Sequence, residues 1–225
     1  MKSLEITNLI GCPMRCSYCP QNKLIGRYEG KITMTLEDFK LYLSNVPKDV
    51  RIDFSGFVEN FTNPECTEMI EYANEQGFKI AIYTTLFNFT DEIIKRLEKI
   101  DFEIFCVHIK KTTNDEILNK IKNSSIRASF AGVGDDIKDV ENLNRLKVIS
   151  RAGNNFKSKE KIGELRCSRS NFEGNVVLPN GDVYLCCMDY GLQHFLGSLK
   201  TTNYNNLNRK GSYNLCSRCE CSVLK

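Results

Sequence analysis

The stretch at residues 10–23, IGCPMRCSYCPQNK, places three cysteines at positions 12, 16 and 19 in the spacing C-x3-C-x2-C. A short apolar segment, residues 4–9, precedes it and predicts the first strand of the chain. Active sites of parallel β/α arrays lie at the carboxyl ends of the strands, so we expect chemistry at these three thiols. Three thiolates hold a four-iron cluster and leave one iron open, whereas a zinc ion needs a fourth ligand that the neighbouring sequence does not supply.

The composition bounds the class of protein. The chain has 225 residues, of which 41% are hydrophobic and 26% charged, which predicts a globular protein with one domain and room for a smaller appendage. The net charge of +3 comes from scattered basic residues, which argues against nucleic acid or an anionic membrane as the partner. No apolar window is long enough to span a bilayer, and the N-terminus has no apolar signal-peptide core, so we expect a cytoplasmic protein.

Eleven cysteines are an unusual number for a chain in a reducing compartment, where clustered thiols bind metals or catalyse more often than they form disulfides. Nine of them fall in two groups, at residues 12–19 and 167–221. The other two, Cys66 and Cys106, lie inside apolar patterns and are interpreted as small buried hydrophobic residues.

Short apolar runs alternate with amphipathic helical patterns over the first two thirds of the chain. The predicted strands are residues 4–9, 50–55, 79–85, 103–109, 126–131 and 146–150, and the predicted helices are residues 36–44, 65–76, 91–99, 114–122 and 136–144. Six such units are too few for the eight-stranded barrel. The predicted fold class is therefore α/β, with a partial, about six-stranded, parallel β/α barrel.

The character of the chain changes after a charged linker at residues 157–161. Two short apolar segments, residues 175–178 and 182–185, flank Pro179-Asn180-Gly181, and an Asn-Gly pair at such a turn predicts a β-hairpin. We therefore divide the chain into a barrel, residues 1–155, and a small domain of a hairpin and a helix, residues 156–225, which contains the second cysteine group.

The first cysteine motif, with Tyr18 before its last cysteine and with its place after strand one of a partial barrel, resembles that of the radical S-adenosylmethionine (AdoMet) superfamily. The resemblance implies that Cys12, Cys16 and Cys19 bind a 4Fe–4S cluster whose open iron chelates AdoMet, with Tyr18 in the cofactor site. It also implies reductive cleavage of AdoMet to a 5′-deoxyadenosyl radical and an electron donor such as a flavodoxin or a ferredoxin.

A second segment, residues 55–65 with the sequence SGFVENFTNPE, resembles the family's G-G-E-P-L-L-N-P-E motif after strand two. By this resemblance Glu59 accepts a hydrogen bond from the AdoMet ammonium group. The segment departs from the family pattern because Phe57 and Val58 replace the two glycines, and because Gly56 lies one position early.

Four further positions are candidate cofactor residues and one is a candidate catalytic residue. Thr84 and Thr85 stand where the family contacts the AdoMet ribose. On strand five, alternation points Arg127 and Ser129 into the barrel, where the arginine would meet the AdoMet carboxylate; a register shifted by one residue leaves Arg127 solvated instead. His108 ends strand four and either faces the site or is structural.

The second cysteine group resembles the SPASM/Twitch appendage of radical AdoMet enzymes. This resemblance implies one auxiliary 4Fe–4S cluster held by Cys167, Cys186, Cys216 and Cys219, with Cys187 and Cys221 as alternates. Two fully ligated auxiliary clusters would need about eight thiolates, and six are present. A structural zinc ion on the same four cysteines is the alternative.

Residues 150–154, SRAGN, resemble the segment between the two cluster domains of SPASM/Twitch enzymes. Arg151 would then line the substrate pocket between the clusters or contact AdoMet; the alternative is a surface arginine. With one auxiliary cluster the chain resembles the 2-deoxy-scyllo-inosamine dehydrogenases, which implies two-electron oxidation of a hydroxylated small molecule of sugar or aminocyclitol type.

Two other functions remain open from the sequence. The first is a radical AdoMet peptide maturase or epimerase, although the eleven residues before Cys12 are too few for a leader-peptide domain. The second is a non-catalytic iron–sulfur or zinc binding module, against which the agreement of the two barrel motifs argues.

Overall fold

The computed structural model describes residues 2–168, 174–209 and 213–225. Its first six strands are β1 (Ser3–Ile6), β2 (Arg51–Phe54), β3 (Ile80–Thr84), β4 (Ile104–His108), β5 (Ala128–Val133) and β6 (Leu143–Leu146). They pair in parallel and in chain order. The predicted array of six parallel strands is therefore confirmed.

Helices connect the first five of these strands, and all of them but the first lie at predicted places. They are α1 (Gln21–Ile25), α2 (Leu36–Ser44), α3 (Cys66–Glu75), α4 (Asp91–Leu97) and α5 (Asp115–Asn123). The side chain of Thr35 caps α2 in a capping box with Asp38, and Thr90 and Asn114 cap α4 and α5. The short helix α1 was not predicted, because five residues are too few to show a helical period.

The prediction for residues 136–150 is wrong in two respects. No helix forms at residues 136–144, and β6 lies three residues earlier than the predicted strand 146–150. Ile137 instead packs against Gly132, and Asn142 adopts a φ of 59°, which no helical residue has. Val140 and Leu143, two of the apolar residues at helical spacing, pack against the main core without forming a helix.

The rest of the described chain contains five strands and one α-helix: β7 (Leu165–Cys167), β8 (Gly174–Val177), β9 (Asp182–Tyr184), β10 (Phe195–Ser198), α6 (Asn214–Ser217) and β11 (Ser222–Leu224). The predicted hairpin is confirmed, since β8 and β9 pair antiparallel around Asn180 and Gly181. The strand β8 also pairs in parallel with β1, so the main sheet has the order β10-β9-β8-β1-β2-β3-β4-β5-β6. The strands β7 and β11 form a separate antiparallel pair. The division of the chain near residue 155 stays a prediction.

The two faces of the sheet differ in polarity. Phe105 and Val107 of β4 are buried in the main core under the helices, so Cys106 and His108 lie on the inner face. The pairing register places four more inner-face residues beside them: Glu5, Asp53, Tyr83 and Ser129. The prediction that Cys66 is buried is confirmed, whereas Cys106 is only partly buried and belongs to the polar inner face.

In the part of the chain that the structure describes, no helix is both long enough and apolar enough to cross a membrane.

Candidate active site

The three cysteines of the first group lie on the loop between β1 and α1, each partly buried. Gly11 and Arg15 have positive φ angles of 96° and 43°, which turn the loop back on itself, and the Cys19 amide donates to the Cys16 carbonyl at 2.9 Å. The structure therefore brings Cys12, Cys16 and Cys19 to the carboxyl end of β1, where the sequence predicted them.

Each of these thiols contacts a different part of the chain. The backbone amide of Glu59 donates to Cys12 Sγ at 3.4 Å, and Lys110 Nζ donates to Cys16 Sγ at 3.4 Å. The Tyr190 hydroxyl lies 3.6 Å from Cys19 Sγ. Hydrogen bonds to metal-binding sulfurs orient the ligands and tune the metal, so the surroundings of the three thiols suit a metal cluster.

Glu59, Thr84 and Thr85 form one hydrogen-bonded group. Oε1 of Glu59 accepts from the Thr84 hydroxyl at 2.8 Å, and Oε2 accepts from the amide and the hydroxyl of Thr85 at 2.5 and 2.7 Å. Burial raises the pKa of the Glu59 carboxyl group, while these donors lower it. The sequence predicted all three as cofactor residues, and the structure shows the threonines holding the carboxylate.

Gly56 is required by the local backbone of the Glu59 loop. Its φ is 72°, and a Cβ atom there would lie 2.3 Å from Thr7 Oγ1. The Thr7 hydroxyl in turn accepts the Phe57 amide at 3.0 Å, and Glu5 Oε2 accepts the Gly56 amide at 3.2 Å. Gly56, which lies one position before the glycines of the family motif, is thus the residue at which the chain turns.

His108 and Arg151 lie on the same side of the sheet. Burial lowers the pKa of the His108 imidazole, and the positive charge of Arg151 lowers it further. The His108 ring also lies beside the ring of Tyr83, with a centroid separation of 6.3 Å. A neutral imidazole near a cationic side chain can accept a proton at neutral pH.

Arg151 connects the region of His108 with the first cysteine loop. One of its Nη atoms donates to the Tyr190 hydroxyl at 3.2 Å, and that hydroxyl lies against Cys19 Sγ. The Tyr190 ring packs on Phe57 with a centroid separation of 4.6 Å. Arg151 is partly buried, so the alternative of a surface arginine does not describe it.

Tyr18 lies beside Cys16, and burial raises the pKa of its hydroxyl group. It also lines an open cavity at the carboxyl ends of β4 and β5, whose other lining residues are Ser17, Lys111, Val133, Gly134, Asp135, Asp136 and Val148.

The two predicted cofactor residues at β5 differ in outcome. The side chain of Arg127 is 82% exposed and pairs with Asp101 Oδ1 at 2.5 Å, so the prediction that it points to the AdoMet carboxylate is wrong. The physical reason is that β5 begins only at Ala128, which leaves Arg127 at the opposite end of the strand from the cysteine loop. Ser129 does lie on the inner face, and its hydroxyl donates to the Phe105 carbonyl at 3.3 Å.

The second cysteine group surrounds a cavity. Four of its lining residues are the predicted ligands Cys167, Cys186, Cys216 and Cys219; the others are Gly174, Leu185, Leu215 and Ser222. Burial raises the pKa of Cys186 to about 12 and that of Cys216 to about 11. A bound metal cation lowers the pKa of a thiol that coordinates it.

Cys187 and Cys221, the predicted alternates, do not line this cavity. Within residues 2–168, 174–209 and 213–225, no three His, Cys, Asp or Glu side chains lie close enough together to hold a single metal ion.

Sequence reasoning missed two residues of this region, Lys110 and Tyr190. Lys110 lies two residues beyond the carboxyl end of β4, and Tyr190 lies four residues after Cys186. The sequence signal that could have identified them is their position beside a strand end or a predicted ligand cysteine. Their contacts join residues that are roughly a hundred or more positions apart, and such contacts leave no local sequence pattern.

Comparisons with known proteins identify the class. The model of the Radical SAM superfamily matches residues 9–147, which is more than half of the chain. The chain belongs to this superfamily and is an enzyme of the radical SAM class. Membership implies a 4Fe–4S cluster and AdoMet.

Several solved structures share the fold. BtrN in complex with AdoMet and 2-DOIA has a TM-score of 0.62 and 16% sequence identity, and the match covers 93% of this chain and 82% of BtrN. Native anSMEcpe with bound AdoMet has a TM-score of 0.61 at 14% identity, over 97% of this chain and 86% of the other. Streptococcus suis SuiB bound to the precursor peptide SuiA has a TM-score of 0.64 at 10% identity, over 90% and 63% of the two chains. The comparison with curated proteins gave no match.

Proposed function

We propose that the enzyme is an AdoMet-dependent oxidoreductase that removes two electrons from a hydroxylated small molecule of sugar or aminocyclitol type. One observation carries this proposal. Four cysteines line one cavity, and Tyr190, four residues after Cys186, lies against Cys19 Sγ of the first cysteine loop and accepts a hydrogen bond from Arg151. The likeness in fold to BtrN, a structure that holds AdoMet and 2-DOIA, supports it.

Cys12, Cys16 and Cys19 are the proposed ligands of the first cluster. The donor set fits, because the three thiols are partly buried and each has a hydrogen-bonding neighbour on its sulfur. A three-thiolate set leaves one iron without a protein ligand.

The proposed AdoMet site extends from this loop along the strand ends. Glu59 offers a buried carboxylate, already oriented by Thr84 and Thr85, to the ammonium group of the ligand. The open cavity beside Tyr18, with Asp135 and Asp136 in its wall, has room for the adenosyl portion. When bound, AdoMet and the two clusters supply the radical that removes a hydrogen atom and the acceptor for the second electron.

The protein's own part in the oxidation is to orient the substrate and remove a proton. Arg151, held by Tyr190, is placed to bind a substrate oxygen near the first cysteine loop. His108 is neutral because burial and the charge of Arg151 lower its pKa, so its imidazole can accept the proton of the substrate hydroxyl group. Loss of the C–H hydrogen atom, the O–H proton and one further electron converts a carbinol to a carbonyl.

Cys167, Cys186, Cys216 and Cys219 are the proposed ligands of one auxiliary 4Fe–4S cluster, in a domain of residues 156–225 that follows the barrel of residues 1–155. The four cysteines that line this cavity match the number of thiolates that a fully protein-ligated 4Fe–4S cluster needs. A flavodoxin or a ferredoxin is the proposed electron donor for the first cluster.

A second candidate function is radical modification of a peptide. It is favoured by the fold shared with SuiB bound to its precursor peptide and with anSMEcpe bound to AdoMet and the Cp18Cys peptide. In that case an auxiliary cluster would still be present, but the substrate would be a side chain or Cα position of a peptide.

The experiment that tests the proposal compares Cys219→Ser with Cys221→Ser after anaerobic reconstitution. The wild-type enzyme should hold about eight irons, and Cys219→Ser should lose about half of them while it still cleaves AdoMet. Cys221→Ser is the comparison, because Cys221 does not line the cavity although its side chain is hydrogen-bonded to that of Cys219. An iron loss in Cys221→Ser equal to that in Cys219→Ser would assign Cys221 to the ligand set.

Product formation from a panel of aminocyclitols and sugars completes the test. A Cys219→Ser enzyme that oxidises substrate at the wild-type rate would overturn the role of the auxiliary cluster as electron acceptor. A wild-type enzyme with about four irons, or with zinc in place of the second set, would overturn the cluster itself.

A further inference from the structure

Lys110 is a buried lysine whose ammonium group lies against the first cysteine loop. Only 7% of the residue is exposed. Its Nζ donates to the Met14 carbonyl at 3.2 Å and to Cys16 Sγ at 3.4 Å. The side chain therefore reaches from the end of β4 to the loop after β1.

The backbone of Lys110 is fixed on its own side. Its amide donates to Thr113 Oγ1 at 2.8 Å, and its carbonyl accepts the Thr113 amide at 3.0 Å. Thr113 is itself buried. The backbone of Lys110 is thus held in place, and from there its buried side chain reaches Cys16 Sγ.

In the described part of the chain, the acidic partner of Lys110 is distant and half-exposed. Asp136 is the nearest acidic group, with Oδ2 at 3.9 Å, and its side chain is 52% exposed. A buried ammonium group is stable only when it is paired and hydrogen-bonded. A Cys16 thiolate bound to iron is the short-range anion that this position suits.

We propose that Lys110 is a positioning residue of the first cluster, which holds the Cys16 thiolate by a charged hydrogen bond and raises the cluster's reduction potential. Reduction adds one negative charge to the cluster, and a nearby cation stabilises the reduced form more than the oxidised form. This inference rests on the proposed function only through Cys16 as a cluster ligand.

Lys110 differs in kind from the groups of Glu59 and Tyr190 that contact the sulfurs of Cys12 and Cys19. Cys12 receives a backbone amide from Glu59, and Cys19 lies against the neutral hydroxyl of Tyr190. Of these three contacts, only that of Lys110 brings a full positive charge to a ligand sulfur. Its removal should therefore shift the potential more than the loss of either neutral donor.

The test uses the reconstituted holoenzyme and the variants Lys110→Met, Lys110→Gln and Lys110→Arg. The readouts are iron content and the midpoint potential of the cluster whose electron paramagnetic resonance signal changes when AdoMet is added. Lys95→Met is the control, because Lys95 is exposed on α4 and its loss removes the same net charge.

Lys110→Met should reduce the equilibrium constant for one-electron reduction about tenfold, which corresponds to about 59 mV. Lys110→Arg should restore most of that difference, and Lys95→Met should leave the potential unchanged. A Lys110→Met enzyme with full iron and the wild-type potential would overturn the proposal.

If Lys110→Met does not retain the first cluster, Lys110→Arg and Lys110→Gln decide the matter. The charge has the proposed role if Lys110→Arg retains its iron while Lys110→Gln loses the cluster or has a lower cluster potential. Equal iron content and equal potential in these two variants would overturn the proposal. Cys16→Ala tests the ligand itself: full iron in that variant would refute Cys16 as a ligand, whatever the effect of Lys110.

Discussion

Among single residues, Glu59 presents two different groups to the proposed site, its backbone amide and its carboxylate. Its backbone amide contacts Cys12 Sγ, and its carboxylate is held by Thr84 and Thr85 for the proposed AdoMet ammonium. A substitution of the side chain removes the carboxylate but leaves the amide. The two roles can therefore be separated by experiment.

We predict that Glu59→Ala weakens AdoMet binding while iron content stays unchanged. Loss of a charge-assisted hydrogen bond should cost roughly 1.5–3 kcal/mol, or about 10- to 150-fold in affinity. Equilibrium binding of AdoMet to the reconstituted protein measures the effect, with the exposed Glu29→Ala as control. An unchanged dissociation constant would place Glu59 outside the AdoMet site.

His108 makes the proposed oxidation depend on pH in a defined direction. Because burial and the charge of Arg151 lower its pKa, the imidazole stays mainly neutral down to a lower pH than an ordinary histidine does. We predict that kcat is constant at neutral and higher pH and falls in acid as the pH passes through the lowered pKa of His108. Arg151→Met should move this fall to higher pH, because it removes one cause of the shift.

The control for the role of His108 is the rate of AdoMet cleavage without substrate. This reaction needs no proton acceptor, so its rate should not show the fall in acid, the acid limb of the pH profile. His108→Gln should reduce kcat by about 10²- to 10⁴-fold and abolish the limb. A limb that persists in His108→Gln would assign it to another group. The same shift affects folding. The free energy of unfolding rises with pH between the lowered pKa of folded His108 and the unfolded value of about 6.5, and this contribution is constant above that pH.

Residue types at ligand spacing were predictable from the sequence, and contacts between distant segments were not. The cysteine spacing and the Glu59 motif are local patterns, and the structure brings those residues together at the strand ends. Arg127 was misplaced because its direction depends on the residue at which β5 begins. Lys110 was missed because its contact with Cys16 joins two loops that are remote in sequence.

At the scale of elements, the turn between β8 and β9 is fitted to the helix α2. Gly181 has a φ of 84°, and a Cβ atom there would lie 2.8 Å from the ring of Tyr42. The Tyr42 hydroxyl donates to the Pro179 carbonyl at 3.1 Å, which joins the helix to the turn. The glycine is thus needed both for its backbone conformation and for space.

We predict that Gly181→Ala destabilises the protein by about 2–4 kcal/mol, through strain at positive φ and displacement of Tyr42. Gly77→Ala is the matched control, since Gly77 has a φ of 78° but no atom lies within 4 Å of its added Cβ. It should cost about 1 kcal/mol for the backbone alone. Denaturant unfolding measures both, and equal losses in the two variants would show that the contact with Tyr42 is unimportant.

Elements were predictable where the chain contains both a period and a boundary signal. The helix α2 was predicted to the residue because a threonine cap and an amphipathic pattern agree there. Residues 136–144 have apolar residues at helical spacing but contain the left-handed Asn142, and strand pairing with β5 prevails. Tertiary pairing outweighs local periodicity when the segment is short.

For the whole molecule, the hairpin completes the main sheet and does not stand apart from it. The strand β8 covers the second edge of β1, and the Tyr204 hydroxyl donates to the Ser3 carbonyl at 3.1 Å. Apolar residues of this later part belong to the same core as the barrel: Val177, Val183, Leu196, Leu199, Tyr204 and Leu207. The sequence suggested two domains because composition changes at the linker, but it does not reveal which strand pairs with β1.

We predict that residues 1–155, expressed alone, do not fold into a stable monomer. The fragment would expose one edge of β1 and the apolar surface that the later residues cover. Size-exclusion chromatography and thermal unfolding of the fragment measure this, and co-expression of residues 156–225 should restore solubility. A monomeric fragment with cooperative unfolding would show that the barrel is independent.

The place of β1 between β2 and β8 also has a consequence for synthesis. Ser3 pairs with Gly174, so one edge of the first strand has no pairing strand until roughly 170 further residues have been synthesised. At about 5–20 residues per second, the wait lasts roughly 10–35 s. During that time the nascent chain presents an open strand edge to its neighbours, and we expect aggregation of overproduced protein to begin at this strand.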